Sequence, residues 1–223
     1  MMKMLKLLLK SKIIYIIVFL ILISNIIYAS ETIYNYSVES VGPIVLDDDS
    51  IVITGDSFAG KFCEYESDRE LTLIPYAIAG RTTIQNQIIM AEALNMPYNR
   101  VLISIGVNDQ YMGTMTYEFE QILRSLLNIA RVYGKKVYFH SYLKYFLDVY
   151  DTRYFNAIDY DNVIKMLCDE YENATYIDVH DLELPMYISE DKIHYNELFY
   201  NKLYDRFYDV LRNEQIAKRQ GNY

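Results

Sequence analysis

Ser50-Ile51-Val52-Ile53-Thr54-Gly55-Asp56-Ser57-Phe58 sets a β-branched apolar run against a glycine and two polar residues. Such a run stopping at a glycine predicts a buried strand that ends in a tight turn. Ser57 then stands at the carboxyl end of a sheet, where open α/β sheets place their chemistry. A serine used as a nucleophile needs a base. Near the far end of the chain, Asp191-Lys192-Ile193-His194 offers one.

Outward from that stretch the chain alternates. Leu71–Ala77 is a second strand-like run that leads to Ala79-Gly80-Arg81. Thr83 to Leu94 has helical spacing, with Ile84, Ile88 and Ala91 on one face and a threonine cap. Val101–Ile105 is a continuous apolar strand closed by Gly106-Val107-Asn108-Asp109. Tyr117 to Val132 repeats the helical period through Phe119, Ile122, Leu123, Leu126 and Ile129, and Gly134 stops it. Lys136–His140 reads as a strand, Phe155–Tyr171 as a helix, Thr175–Val179 as a fifth strand and Glu197–Leu211 as a closing amphipathic helix. Strands alternating with helices predict parallel βαβ units, hence an α/β fold built as a three-layer α/β/α sandwich on a five-stranded parallel sheet.

The ends of the chain read differently. Lys3, Lys6, Lys10 and Lys12 precede the uncharged run Ile13–Tyr28, followed by Ala29-Ser30. A basic region, an apolar core and small residues make up an export signal. At 16 residues the run falls just short of the roughly 17–25 of a spanning helix. Residues 1–30 are therefore expected to be a signal peptide or an N-terminal membrane anchor, with the main domain exported to the cell envelope or beyond. Residues 31–49 are a polar lead-in, and residues 50–217 form one domain without repeats or linkers. Setting aside the four lysines before residue 31 leaves 17 basic residues against 30 acidic ones, a balance of −13. That balance argues against a nucleic-acid partner and against adhesion to anionic lipid, so membrane contact is expected only through the N-terminal segment. Cys63 and Cys168 are expected as buried free thiols, and no metal-like cluster or cofactor site is evident. His140 and His180, in or beside strands, read as core or edge histidines.

In a parallel sheet the polar strand ends lie on one edge and can converge. His194 would take the proton of Ser57, and Asp191 would hold the other ring nitrogen. The Asn108 amide and the backbone N–H groups of Gly80 and Ser57 would serve as oxyanion donors. Asp109 reads as a supporting turn residue. Arg81 and Tyr111, beside two of these segments, are candidates for substrate contact or for plain surface.

The order Gly-Asp-Ser, later Gly, later Gly-x-Asn-Asp, later Asp-x-x-His resembles the SGNH (GDSL) hydrolase superfamily over about residues 50–212. Its four namesake residues would be Ser57, Gly80, Asn108 and His194. The resemblance implies a flavodoxin-like sheet and metal-free, cofactor-free ester hydrolysis. It makes Asp191 the third triad member and gives Asp56 the task of holding the nucleophile turn. Phe58 departs from the leucine frequent in the family's longer motif, and Ala79-Gly80-Arg81-Thr82 departs around the second glycine. No insertion is long enough for a lid, which favours an open site and a water-soluble ester. The expectation is an exported serine esterase removing a small acyl group, acetyl foremost, from carbohydrate. An O-acyltransferase acting on envelope or exopolysaccharide sugars would share the same residues. A catalytically silent carbohydrate-binding protein would share the fold.

Overall fold

The computed structural model describes residues 50–66, 69–142, 157–182, 185–191 and 194–219. The readings made for residues 1–49 and for Phe155 and Asn156 lie outside them.

Five strands form the sheet: β1 (Ser50–Gly55), β2 (Thr72–Ala77), β3 (Arg100–Ser104), β4 (Lys136–His140) and β5 (Ala174–Ile177). All neighbours pair in parallel, in the order β2-β1-β3-β4-β5. The chain moves from β1 outward to β2, then back across β1 to β3. That reversal opens a crevice at the carboxyl ends of β1 and β3.

The two faces of the sheet follow from period-2 alternation. Val52, Val101, Ile103, Val137 and Phe139 point to one core, covered by α2 (Thr83–Asn95), α4 (Thr116–Val132) and α5 (Ala157–Glu170). Ile51, Ile53, Leu102, Tyr138 and Ile177 point to the other, covered by α1 (Ser57–Tyr65) and α6 (Glu197–Arg219). Because β1 is covered on both faces, all six of its residues are buried. Edge strand β2 is only half-buried, and it tolerates Pro75 because an edge strand can spare an N–H group.

Three local readings change. The segment after Ser57, read only as polar, is α1, whose Phe58, Ala59, Phe62 and Cys63 are buried. Val107–Met112 is a short helix, α3, and Asp109, read as a turn residue, lies within it. On α2 the face read from Ile84 and Ile88 is the outer one: the two are 48% and 65% exposed, and Ala91 is half-buried. The inward face carries Thr83, Asn86, Ile89, Met90, Ala93 and Leu94. Its two polar residues sit where apolar spacing would place core, so the periodicity pointed the wrong way. The helix cap is Thr82, which forms a reciprocal capping box with Gln85.

Cys63 and Cys168 are both free, as expected, but Cys168 is only half-buried. Burial pushes both thiols up to about 12, which leaves them un-ionised and unreactive.

Candidate active site

The turn from β1 into α1 is shaped by close packing on the next strand. Gly55 has φ +137°, and a Cβ placed there would lie 1.8 Å from the Ser104 carbonyl oxygen on β3. Only glycine fits. The Asp56 N–H donates to that same oxygen at 3.1 Å. The Asp56 side chain then caps α1, its Oδ1 accepting from the Phe58 N–H at 2.9 Å. Ser57 follows as the first residue of the helix, at the end where backbone N–H groups lack partners within the helix and the dipole favours negative charge.

Residue 194 arrives from the opposite end of the chain. Ile188 and Tyr195 form an antiparallel bridge, the Ser189 N–H donates to the His194 carbonyl at 2.9 Å, and the Asn196 N–H donates to the Tyr187 carbonyl at 2.7 Å. At the tip, Asp191 Oδ1 accepts from the His194 N–H at 2.9 Å and from the Ser189 hydroxyl at 2.5 Å. Its Oδ2 lies 2.6 Å from His194 Nδ1, and His194 Nε2 lies 2.8 Å from Ser57 Oγ. A carboxylate can only accept, so Nδ1 carries the proton and Nε2 presents its lone pair to the Ser57 hydroxyl. Phe58 backs the imidazole, with ring centroids 5.5 Å apart. The three residues read from sequence as a triad are thus joined in one relay.

The oxyanion candidates occupy the adjoining loops. Gly80 has φ +73°, and a Cβ there would meet only open space, so its conformation rather than crowding asks for glycine. Asn108, in the first turn of α3, donates through Nδ2 to the Arg81 carbonyl at 3.1 Å and lies 3.5 Å from Asp56 Oδ2. Asp109 is fully buried, and its Oδ2 accepts from both the N–H and the hydroxyl of Thr83, at 2.8 and 2.7 Å. Asp109 therefore ties α3 to the start of α2, a supporting role. Arg81 is half-buried and Tyr111 is 55% exposed.

Electrostatics distinguish the acids. Burial pushes the Asp56 carboxyl up to about 7, with the neighbouring Asp109 charge adding to the shift against the hydrogen bond from Phe58. Burial also raises Asp109, against its bonds from Thr83. His140 is buried, with Nδ1 on the Ser141 carbonyl at 2.9 Å and Nε2 on the Ser104 hydroxyl at 2.7 Å, a satisfied core histidine. Burial lowers its pKa and keeps it neutral. His180 pairs with Asp178 at 2.8 Å at the sheet's edge. A small cavity is bounded by Asp56, Phe58, Ser104, Val107, His140 and Tyr142, and neither Ser57 nor His194 lines it. Among the described residues, no group of His, Cys, Asp and Glu could hold a metal ion.

Sequence reasoning missed Thr83, Asn86 and Ser189. The first two could have been found as a polar pair, three residues apart, on the inward face of a covering helix.

Several solved structures share this fold. A GDSL-like lipase from Bacteroides thetaiotaomicron superposes with a TM-score of 0.66 at 15% identity, covering 81% of this chain and 96% of its own. The psychrotrophic esterase EstA from Pseudoalteromonas gives 0.58 at 16%, covering 75% and 98%. An acetylxylan esterase from Geobacillus stearothermophilus gives 0.58 at 17%, covering 71% and 91%. No curated protein sequence matches the chain. The sequence matches the GDSL-like lipase/acylhydrolase family over residues 49–202, most of its length, and with the five-stranded parallel sheet in place the chain belongs to that family of ester-bond hydrolases.

Proposed function

We propose that the chain is an exported serine esterase that removes small acyl groups, acetyl foremost, from carbohydrate. The observation that carries the mechanism is the relay Asp191–His194–Ser57, with its 2.6 and 2.8 Å contacts. In the acylation step Ser57 Oγ bonds to the ester carbonyl carbon while its proton passes to His194 Nε2. The carbonyl π pair moves onto oxygen, and Asp191 stabilises the imidazolium. Collapse of the tetrahedral intermediate breaks the bond to the sugar oxygen, which takes the proton back from Nε2. Water, deprotonated by His194, then attacks the acyl-enzyme and releases the acid along with free Ser57.

The negative charge on the intermediate falls at the N-terminus of α1, where the N–H of Ser57, the first helical residue, has no partner within the helix. The Gly80 N–H and the second Asn108 amide hydrogen complete the set. That hydrogen is held only weakly, at 3.5 Å from Asp56, so it can be given to substrate. Loss of one such donor costs about 3 kcal/mol, roughly 100-fold in rate. Asp56, pushed up to about 7 by burial, carries little charge in mildly acidic solution and so does not oppose the oxyanion.

Support for the substrate comes from three directions. The basic and apolar start of the chain supports export, the acidic balance disfavours polyanionic substrates, and an acetylxylan esterase shares the fold. The full chain should hydrolyse p-nitrophenyl acetate and be labelled by a fluorophosphonate at Ser57, and Ser57→Ala should abolish both. A well-folded sample that takes no label would refute the mechanism. Acetylated oligosaccharides, tested with and without acceptor sugars, should release acetate in both cases. Transfer of acetyl to the acceptor instead of to water would overturn the esterase assignment.

A further inference from the structure

Asn86 is fully buried on the inward face of α2, among Ile89, Met90, Ala93 and Leu94. A primary amide in such a place is costly unless its hydrogens are bonded. Its Nδ2 donates to the Gly55 carbonyl at 2.8 Å and reaches the Ile78 carbonyl at 3.3 Å. Both neighbours are acceptors, which fixes the orientation of the amide. Its Oδ1 has no partner among the described residues, so every hydrogen bond of the side chain goes to this junction.

The two carbonyls have particular positions. Gly55 lies two residues before Ser57, and Ile78 lies two residues before Gly80. The pairing of β1 with β2 ends at Gly55 and Ala77, followed by one bond from the Ile78 N–H to the Gly55 carbonyl at 3.1 Å. Beyond that point the strands part into the nucleophile turn and the Gly80 loop. Asn86 cross-links them where they part. The Gly80 loop is tethered again by Asn108 on the Arg81 carbonyl and by Asp109 on Thr83. Asn108 reaches the nucleophile turn only through its weak 3.5 Å contact with the Asp56 side chain, whereas the Asn86 side chain bonds backbone carbonyls of both segments.

We propose that Asn86 is a positioning residue that sets the spacing between Ser57 and the Gly80 N–H, and so governs stabilisation of the oxyanion without touching substrate. This rests on the assignment of Ser57 as nucleophile and Gly80 as donor. Oxyanion donors act only when held close to the productive geometry, and a misplacement of about 1 Å can cost 100-fold. A side chain acting this way lowers kcat and leaves ground-state binding alone.

The test compares the full wild-type chain with Asn86→Leu, of similar volume but without donors, and Asn86→Ser, which keeps one donor. With p-nitrophenyl acetate, Asn86→Leu should lose roughly 10- to 100-fold in kcat with KM within about twofold. Fluorophosphonate labelling should slow in parallel, because phosphonylation builds the same oxyanion. The shape of the pH profile should not change, since the substitution removes no ionisable group. Asn86→Ser should fall between the two. A folded Asn86→Leu with kcat within about threefold of wild type overturns the proposal, as does a loss expressed in KM. If Asn86→Leu does not fold, Asn86→Ser is judged by the same criteria; failure of both to fold also overturns it, since the side chain then serves the fold alone. If wild type hydrolyses no ester, or labelling survives Ser57→Ala, the assignment of the site fails instead, whatever Asn86 does.

Discussion

The two halves of the relay are held in opposite ways. Ser57 stands on a turn clamped by the core: Gly55 is pressed on Ser104, Asp56 is buried, and Phe58 and Phe62 anchor the helix that follows. His194 and Asp191 ride on a loop whose flanking Tyr187 and Tyr195 are buried, but the Asp191 side chain is held by local hydrogen bonds and is 48% exposed. Nucleophile geometry is therefore tied to global stability, whereas base geometry is a local property. Substitutions that crowd the first region should damage the fold, and those at Asp191 or His194 should damage rate alone.

Gly55→Ala should have the largest effect. Its Cβ would overlap the Ser104 carbonyl in a backbone conformation that alanine resists, which should cost roughly 3–5 kcal/mol. Thermal unfolding should show a large drop in Tm or no folded protein, and an unchanged Tm would break the contrast. Asp191→Asn should come next. It removes the acceptor that fixes the His194 tautomer, so kcat should fall about 10^3-fold with Tm nearly unchanged. A Tm loss comparable to that of Gly55→Ala would show that the loop is not local after all.

Asp56→Asn should act on stability with the opposite sign. The carboxyl of Asp56 is raised in the fold, so its contribution to stability is full below its ordinary 3.8 and is lost as pH rises toward about 7. Asparagine keeps the helix cap and does not titrate. Urea unfolding at a series of pH values should show the variant gaining on wild type between about pH 4 and 7, by up to about 1 kcal/mol per pH unit. Parallel stability curves would mean that Asp56 is not held protonated. His140, whose pKa burial lowers, acts with the opposite sign as pH falls, and it does so equally in both proteins.

What could be read from sequence follows the same division. The β1 run, the Gly-Asp-Ser turn and the Asp-x-x-His spacing were legible because each is local: a strand period, a steric need for glycine, a reach of three residues. The order of the sheet followed from family resemblance. The inward face of α2 was not legible, because Thr83 and Asn86 are chosen by partners at Asp109 and Gly55, more than twenty residues away. With those positions polar, the exposed Ile84 and Ile88 looked like the core stripe. Helix α3 was missed for a related reason, since a six-residue helix offers too little period to read.

Ser57 and His194 meet across 137 residues, at the first strand and just ahead of the last helix. Truncation at either end of the domain therefore separates the nucleophile from its base. In a refolding experiment, recovery of ester hydrolysis times one of the long-range closures of the domain, a step that secondary-structure signals would register only in part.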